Sequence, residues 1–190
     1  MKTITLVTSN PNKLQEIQAI FPKAVNFRSE ALELDEIQTL DRKKLATHKL
    51  KQAFEQLKKP VMIEDVSAHL SCLNGLPGPY IKDFEKLLGE DALFILAEKY
   101  EDRSCEIICT AGYYDGSNII ITEGVVDGEI VAPRGNNGWG FDKVFVQDGY
   151  SKTNGELSEQ EKNTDSHRAR AFRSLATKIS DLNSQKDTTR

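Results

Sequence analysis

Two carboxylates stand side by side at Glu64 and Asp65, directly after the apolar run Val61, Met62, Ile63. Adjacent acids at the end of a buried strand repel one another unless a cation or solvent relieves them. A few oxygen ligands suit Mg²⁺, which keeps waters and phosphates as its other ligands. Glu36, in the acidic stretch 34–40, can reach the same place. A second group is Thr8, Ser9, Asn10, Pro11, Asn12 and Lys13, at a junction read as strand to helix. Free backbone N–H groups and the positive end of a helix suit a phosphate there, and Lys13 adds a point charge. The P-loop pattern is absent. A third group, residues 136–142, sets Trp139, the single tryptophan, between Gly138 and Gly140, with Phe141 and Asp142 following. An aromatic face in such a loop can stack a base, worth roughly 1–3 kcal/mol. The fourth group is residues 161–168, with Lys162, His167 and Arg168 clustered before and at the start of the last helix. Basic side chains do not help a helix dipole at that end, so their placement reads as functional. Taken singly, the first three groups also fit plainer roles: a surface acidic pair, a capped turn and an aromatic plug over the core.

The elements that must position these residues follow from periodicity. Residues 4–8 read as a buried strand, 13–20 as a helix and 25–27 as a short strand. Asp41 caps a long helix through residue 58, with Leu45, Leu50, Ala53, Phe54 and Leu57 on one stripe. Residues 61–63 are a short strand running into the acidic pair. Residues 73–79 hold two Gly and two Pro, which excludes a regular element. Helices are expected at 81–88 and 91–100, and strands at 104–113 and 119–126, joined by a hairpin turn. A Gly-rich loop at 133–142 precedes a short strand at 143–146. Ser158 and Glu161 form a capping box, and residues 166–182 are the last helix. Strands and helices mix without strict alternation, which predicts an α/β fold of mixed α+β character around a curved mixed sheet. Two lobes with a cleft between them are expected, in one domain over 1–182 with a flexible tail at 183–190.

The chain has 190 residues, 25 Lys plus Arg and 29 Asp plus Glu, for a net charge of -4. That balance argues against a general nucleic-acid partner, which would show basic excess. No apolar run approaches the roughly 20 residues of a membrane span. The first eight residues carry too short an apolar stretch for a signal peptide, so a cytoplasmic location is expected. Cys72, Cys105 and Cys109 are odd in number and unpaired in spacing, and are expected to be reduced.

Five stretches in order, residues 8–16, 63–84, 130–135, 138–142 and 148–168, resemble the inosine triphosphate pyrophosphatase family, the non-canonical purine nucleoside triphosphate pyrophosphatases. The runs LNGLPGPYIK and EKNxxSHR carry most of the specificity. The resemblance implies an elongated two-lobed fold, a homodimer, Mg²⁺ as cofactor, and hydrolysis of ITP, dITP and XTP to the monophosphate and pyrophosphate. It implies a triphosphate loop at residues 8–13 and metal binding by Glu36 and Asp65. Asp65 would be the general base, with Glu64 and Lys13 also catalytic. Lys49 and Lys82 would contact phosphate. Trp139, Gly140, Phe141 and Asp142 would form the base-stacking loop, and Lys162, Ser166, His167 and Arg168 the base-recognition segment. The chain departs from the family pattern at Ser9, where a Gly is usual, at Val66 beside the substrate, where Ser or Thr is usual, and at Lys143, where Pro is usual. Those departures leave two alternatives: a nucleotide sensor with weakened catalysis, or a related pyrophosphatase acting on another modified or canonical nucleotide.

Overall fold

The computed structural model of the chain describes residues 3–21 and 25–188. Strand β1 (Thr3–Val7) leads into helix α1 (Pro11–Ile20). Asn10 caps that helix, its Oδ1 accepting from the Asn12 N–H, and Pro11 sits where a missing N–H costs nothing. Strand β2 (Asn26–Glu30) pairs with β1 in parallel, Thr3 opposite Asn26 through Val7 opposite Glu30. An irregular segment, 31–41, precedes helix α2 (Arg42–Leu57), which is capped by the Asp41 carboxylate. Strand β3 (Val61–Leu70) is parallel to β1, and β4 (Pro77–Gly78) pairs antiparallel to β3. Helices α3 (Ile81–Leu88) and α4 (Ala92–Ala97), strands β5 (Ser104–Tyr114), β6 (Ile119–Ile130) and β7 (Phe145–Gln147), and helices α5 (Glu159–Asp165) and α6 (His167–Thr188) complete the chain. The strand order is β2-β1-β3-β5-β6-β7, with β4 beside β3. Parallel and antiparallel pairs coexist, which is the mixed α/β fold expected.

Four elements differ from the sequence reading. Pro77–Gly78, inside the stretch whose Gly and Pro were expected to exclude a regular element, pairs with β3 as the two-residue strand β4, short enough for Pro to be tolerated. β3 does not stop at the acidic pair but continues to Leu70, so Glu64 and Asp65 lie in mid-strand. Both of its faces are largely covered, and polar residues inside it hide the continuity that an alternating pattern would have shown. The second of the two middle helices is shorter than expected and spans only Ala92–Ala97. The last helix runs past residue 182 to Thr188. Residues 183–188 lack an apolar stripe, but they also lack Gly and Pro, so nothing terminates the helix. Residues 189 and 190 lie outside the described residues.

The chain divides into two compact units. The first comprises Met1–Asp65, Cys109–Gly124 and Arg168–Arg190, the second Val66–Ile108 and Val125–His167. In the first unit the sheet is covered on both faces. Ile4, Leu6, Met62, Cys109, Ala111 and Tyr113 pack with Ile17 of α1 and with Phe172, Leu175 and Ile179 of α6. Val61 and Ile63 pack on the other face with Ala46, Leu50 and Ala53 of α2. Each fully buried Leu, Ile or Met there contributes about 1.5–3 kcal/mol of hydrophobic free energy. The second unit has its own core, built on Leu70, Ile81, Leu93, Ile107, Val126, Ile130, Val144 and Phe145.

Candidate active site

Strand geometry separates the two acids. Successive side chains on β3 point to opposite faces. Met62 and Glu64 share the face that carries α1 and α6, whereas Ile63 and Asp65 share the face that carries α2. The partners follow that division. Glu64 Oε1 accepts from Arg168 Nη2 at 2.8 Å and Nε at 3.2 Å, and from the Cys109 thiol at 3.7 Å. Lys13 Nζ lies 2.6 Å from Glu64 Oε2. Arg168 Nη1 donates to Glu16 Oε2 at 2.5 Å. Burial alone would raise the Glu64 carboxyl. Arg168 and Lys13 outweigh it and hold the group well below the usual carboxylate range.

On the α2 face, Lys49 Nζ donates to Asp65 Oδ1 at 2.6 Å and to Glu36 Oε1 at 2.9 Å. Asp65 Oδ2 is enclosed and has no hydrogen-bond partner among the described residues. Burial pushes the Asp65 carboxyl up, by more than Lys49 and Lys13 pull it down. Two carboxylates converging on one cation, with a further enclosed oxygen to spare, are a donor set that fits Mg²⁺. Among the described residues no three His, Cys, Asp or Glu side chains group as a complete metal cage. Such a cage is not what Mg²⁺ requires, since it keeps waters and phosphates among its ligands. The two adjacent acids therefore face different ion-pair partners. Asp65 meets Glu36, and Glu64 belongs to a separate buried network.

Residues 8–10 connect β1 to α1, and residues 11–13 form the first turn of that helix. Two of the N–H groups expected to face a phosphate are already used within the loop. Asn10 N donates to Thr8 Oγ1 at 3.1 Å and Asn12 N to Asn10 Oδ1 at 2.9 Å. Ser9 and Asn12 are exposed, and Lys13 is half-buried against Glu64. Lys82, the second residue of α3, is exposed. Val66 is half-buried and packs against the core of the second unit. Ser67 is buried, and its hydroxyl lies 2.9 Å from His69 Nε2.

The aromatic loop and the 161–167 segment belong together in the second unit. The Asp142 carboxylate accepts from the Trp139 N–H at 2.9 Å, from Lys162 Nζ at 2.6 Å and from Asn154 Nδ2 at 3.3 Å. Lys162 Nζ also lies 5.7 Å from the Trp139 ring centroid, a cation–π geometry. Lys162 and Asp142 are both nearly fully enclosed, with side chains 6% and 3% exposed. Trp139 stays half-exposed. Phe141 does not. It is buried, edge-on to Phe145 at 6.3 Å and tilted toward His167 at 6.1 Å. Phe141 is thus a core residue beneath the loop, leaving Trp139 as the available stacking face. Ser166 and His167 are buried.

Gly138 has φ +77°, and a Cβ there would lie 2.2 Å from Asp142 Oδ2. Gly138→Ala is expected to displace the Asp142 carboxylate and destabilise the protein by about 2–4 kcal/mol, from left-handed backbone and overlap together. Urea unfolding followed by the fluorescence of Trp139 reads it directly.

The basic cluster at 162–168 was read as functional because its charges oppose the helix dipole. For Lys162 and Arg168 the structure shows another compensation, since each is enclosed against carboxylates. The Arg168 side chain is 1% exposed. Its guanidinium is committed to Glu16 and Glu64 instead of being presented to a ligand. Glu16 and Cys109 were not among the expected site residues. The signal for Glu16 was a carboxylate adjoining the apolar positions Ile17 and Ile20 of a short helix, one turn after Lys13.

All three cysteines are free thiols, as expected. Burial pushes Cys105 up to about 12 and raises Cys109 well above its ordinary value. A maleimide at pH 8 is expected to label the native chain at Cys72 alone, and all three sites in urea. Mass spectrometry of the labelled peptides checks this.

Residues 4–178 match the Ham1 family. The inosine triphosphate pyrophosphatase of Pyricularia oryzae is 41% identical over 177 residues, covering 92% of both chains. That of Scheffersomyces stipitis is 40% identical over 188 residues, covering 92% of this chain and 96% of the relative. Among solved structures, a HAM1 protein from Coxiella burnetii superposes with a TM-score of 0.83 at 26% identity, over 95% of this chain and all of that one. A nucleoside-triphosphatase (dITP/XTP pyrophosphatase) from Mycobacterium abscessus gives a TM-score of 0.69 at 26% identity, over 92% and 98% of the two chains. No helix among the described residues is long and apolar enough to cross a membrane. Sequence match, relatives and fold agree over nearly the full length, and the chain belongs to the Ham1 family.

Proposed function

We propose that the chain hydrolyses non-canonical purine nucleoside triphosphates, ITP, dITP and XTP, to the monophosphate and pyrophosphate with Mg²⁺. The observation that carries this reading is the convergence of Glu36 and Asp65 on one cation, with Lys13 held beside the same strand by Glu64. Relatives named inosine triphosphate pyrophosphatase, alike over nine-tenths of the chain, support it. Bound at Glu36 and Asp65, Mg²⁺ would neutralise phosphate charge and acidify a water. Asp65 Oδ2 is the oxygen that accepts the proton of the attacking water. Lys13 and Lys82 balance charge on the pyrophosphate as it leaves. Trp139 stacks the base, and Lys162 stiffens that ring through its cation–π contact. Recognition of the 6-oxo group is assigned to the 162–167 segment, whose Lys162 lies over the Trp139 ring, whereas Arg168 belongs to the network with Glu16 and Glu64. A site that hydrogen-bonds an oxo group can reject its amino counterpart by up to about 10⁴-fold. The working form is a cytoplasmic homodimer.

Pyrophosphate release from a panel of ITP, dITP, XTP, ATP, GTP and dUTP tests the reading. Release from the first three with Mg²⁺, and its loss in excess EDTA, is the expected result. Binding of ITP without release would favour a nucleotide sensor. Release from a pyrimidine or a canonical nucleotide alone would favour a related pyrophosphatase.

A further inference from the structure

Lys49 occupies the point where two carboxylates converge. It is buried on α2, and its single ammonium bridges Glu36 Oε1 and Asp65 Oδ1 at 2.9 and 2.6 Å. The two acids reach it by different means. Asp65 is fixed by strand β3. Glu36 comes from the segment 31–41, which has no regular structure. That segment is laid along α2 by a stripe of side chains, Lys49, Gln52 and Gln56, spaced three and four apart on one helix face. Gln52 closes a two-bond clamp on the residue before Glu36. Its Nε2 donates to the Asp35 carbonyl at 2.9 Å, and its Oε1 accepts from the Asp35 N–H at 3.0 Å. Gln56 Nε2 donates to the Glu33 carbonyl at 3.4 Å. The backbone that carries Glu36 is therefore held independently of Lys49. The segment that carries Glu36 would stay along α2 if the ammonium withdrew to let another cation in.

A divalent cation and an ammonium cannot share the same two oxygens without strong repulsion, because like charges about 4 Å apart in a partly buried site interact strongly. We propose that Lys49 is a resident counter-cation, which holds Glu36 and Asp65 together in the metal-free protein and gives both up when a divalent cation binds. The freed ammonium is then available to a phosphate oxygen, the contact that the family resemblance assigns to it. Lys49 is in this sense a positioning residue for the metal site, and Gln52 is the residue that keeps the site assembled during the exchange. The inference rests on the metal reading of the preceding section.

The test uses the full chain and Mn²⁺ alone, with no nucleotide. Mn²⁺ affinity is measured by electron paramagnetic resonance of the free ion, and melting temperature with and without Mn²⁺. Lys49→Met is expected to bind Mn²⁺ about tenfold or more tightly than the wild type. It is also expected to melt lower without metal and to recover more on adding it. Lys49→Gln, which keeps a neutral donor and is the safer variant to fold, should shift the same way by a smaller factor. Gln52→Ala should weaken Mn²⁺ binding in the wild-type background. Equal or weaker Mn²⁺ binding by both Lys49 variants would show that the ammonium organises the site without competing for it, and would overturn the inference alone. Undiminished Mn²⁺ binding by Asp65→Asn and Glu36→Gln would overturn it together with the metal reading.

Discussion

Asp65→Asn is expected to lower turnover of ITP by about 10²–10⁴-fold, the scale of a lost general base, while the protein stays folded. The carboxylate has two functions in the proposed reaction. One oxygen lies on the shared cation site with Glu36, and the other is enclosed without a protein hydrogen-bond partner among the described residues. An amide keeps the shape and one carbonyl oxygen, but it neither accepts a proton from water nor carries the charge that holds a cation. The fold should tolerate the change, since the side chain is partly exposed and the core beneath it is built from Val61 and Ile63. Circular dichroism and thermal melting verify the fold, and pyrophosphate release measures the rate. More than a tenth of wild-type activity in a folded Asp65→Asn protein would remove Asp65 from the chemistry.

Replacement of Arg168 is expected to act on stability before it acts on specificity. Its guanidinium is enclosed and donates to two carboxylates, Glu64 and Glu16, that are themselves buried. Removing one partner of such a network leaves uncompensated charge, which costs about 3–5 kcal/mol. For a chain of this length that lowers the melting temperature by about 6–20 °C. Glu16→Gln combined with Arg168→Ala should restore part of the loss, because one stranded charge is removed with the other. The effect also has a pH signature. In the wild type the Glu64 carboxyl is held below its ordinary value of 4.5, after the burial cost is overcome by Arg168 and Lys13. A depressed carboxyl contributes stability that is present above about 4.5 and is lost as the pH falls through the folded-state value. The gap between wild type and Arg168→Ala should therefore be widest at neutral pH and narrow below pH 4.5. Urea unfolding at pH 7, 5 and 4 reads this. An Arg168→Ala protein as stable as the wild type, but with a collapsed preference for ITP over ATP, would return the guanidinium to the base, where the sequence reading expects it.

Short-range features were decided by the sequence itself. Asn10 and Asp41 cap the helices that follow them, and Ser158 with Glu161 closes the capping box of α5, all as their residue types require. The apolar stripe of α2 and the buried strand β1 follow from periodicity, and five ordered motifs were enough to mark the family. What the tertiary structure alone decided is where each charge goes. Glu64 and Asp65 are neighbours in sequence, yet the pleat of β3 sends one to Arg168 and Lys13 and the other to Lys49 and Glu36. That separation was hidden while β3 was thought to end at them. Lys162 and Arg168 looked misplaced beside a helix start because their compensating carboxylates are not local. Asp142 lies 20 residues from Lys162, Glu64 lies 104 from Arg168, and Glu16 lies 152 from it. Phe141 and Trp139 are equally aromatic in sequence, and only packing against Phe145 and His167 makes the first a core residue. Capping and periodicity act over a few residues and can be read along the chain. The pairing of buried charges and the filling of a core depend on partners that only the folded chain brings within reach.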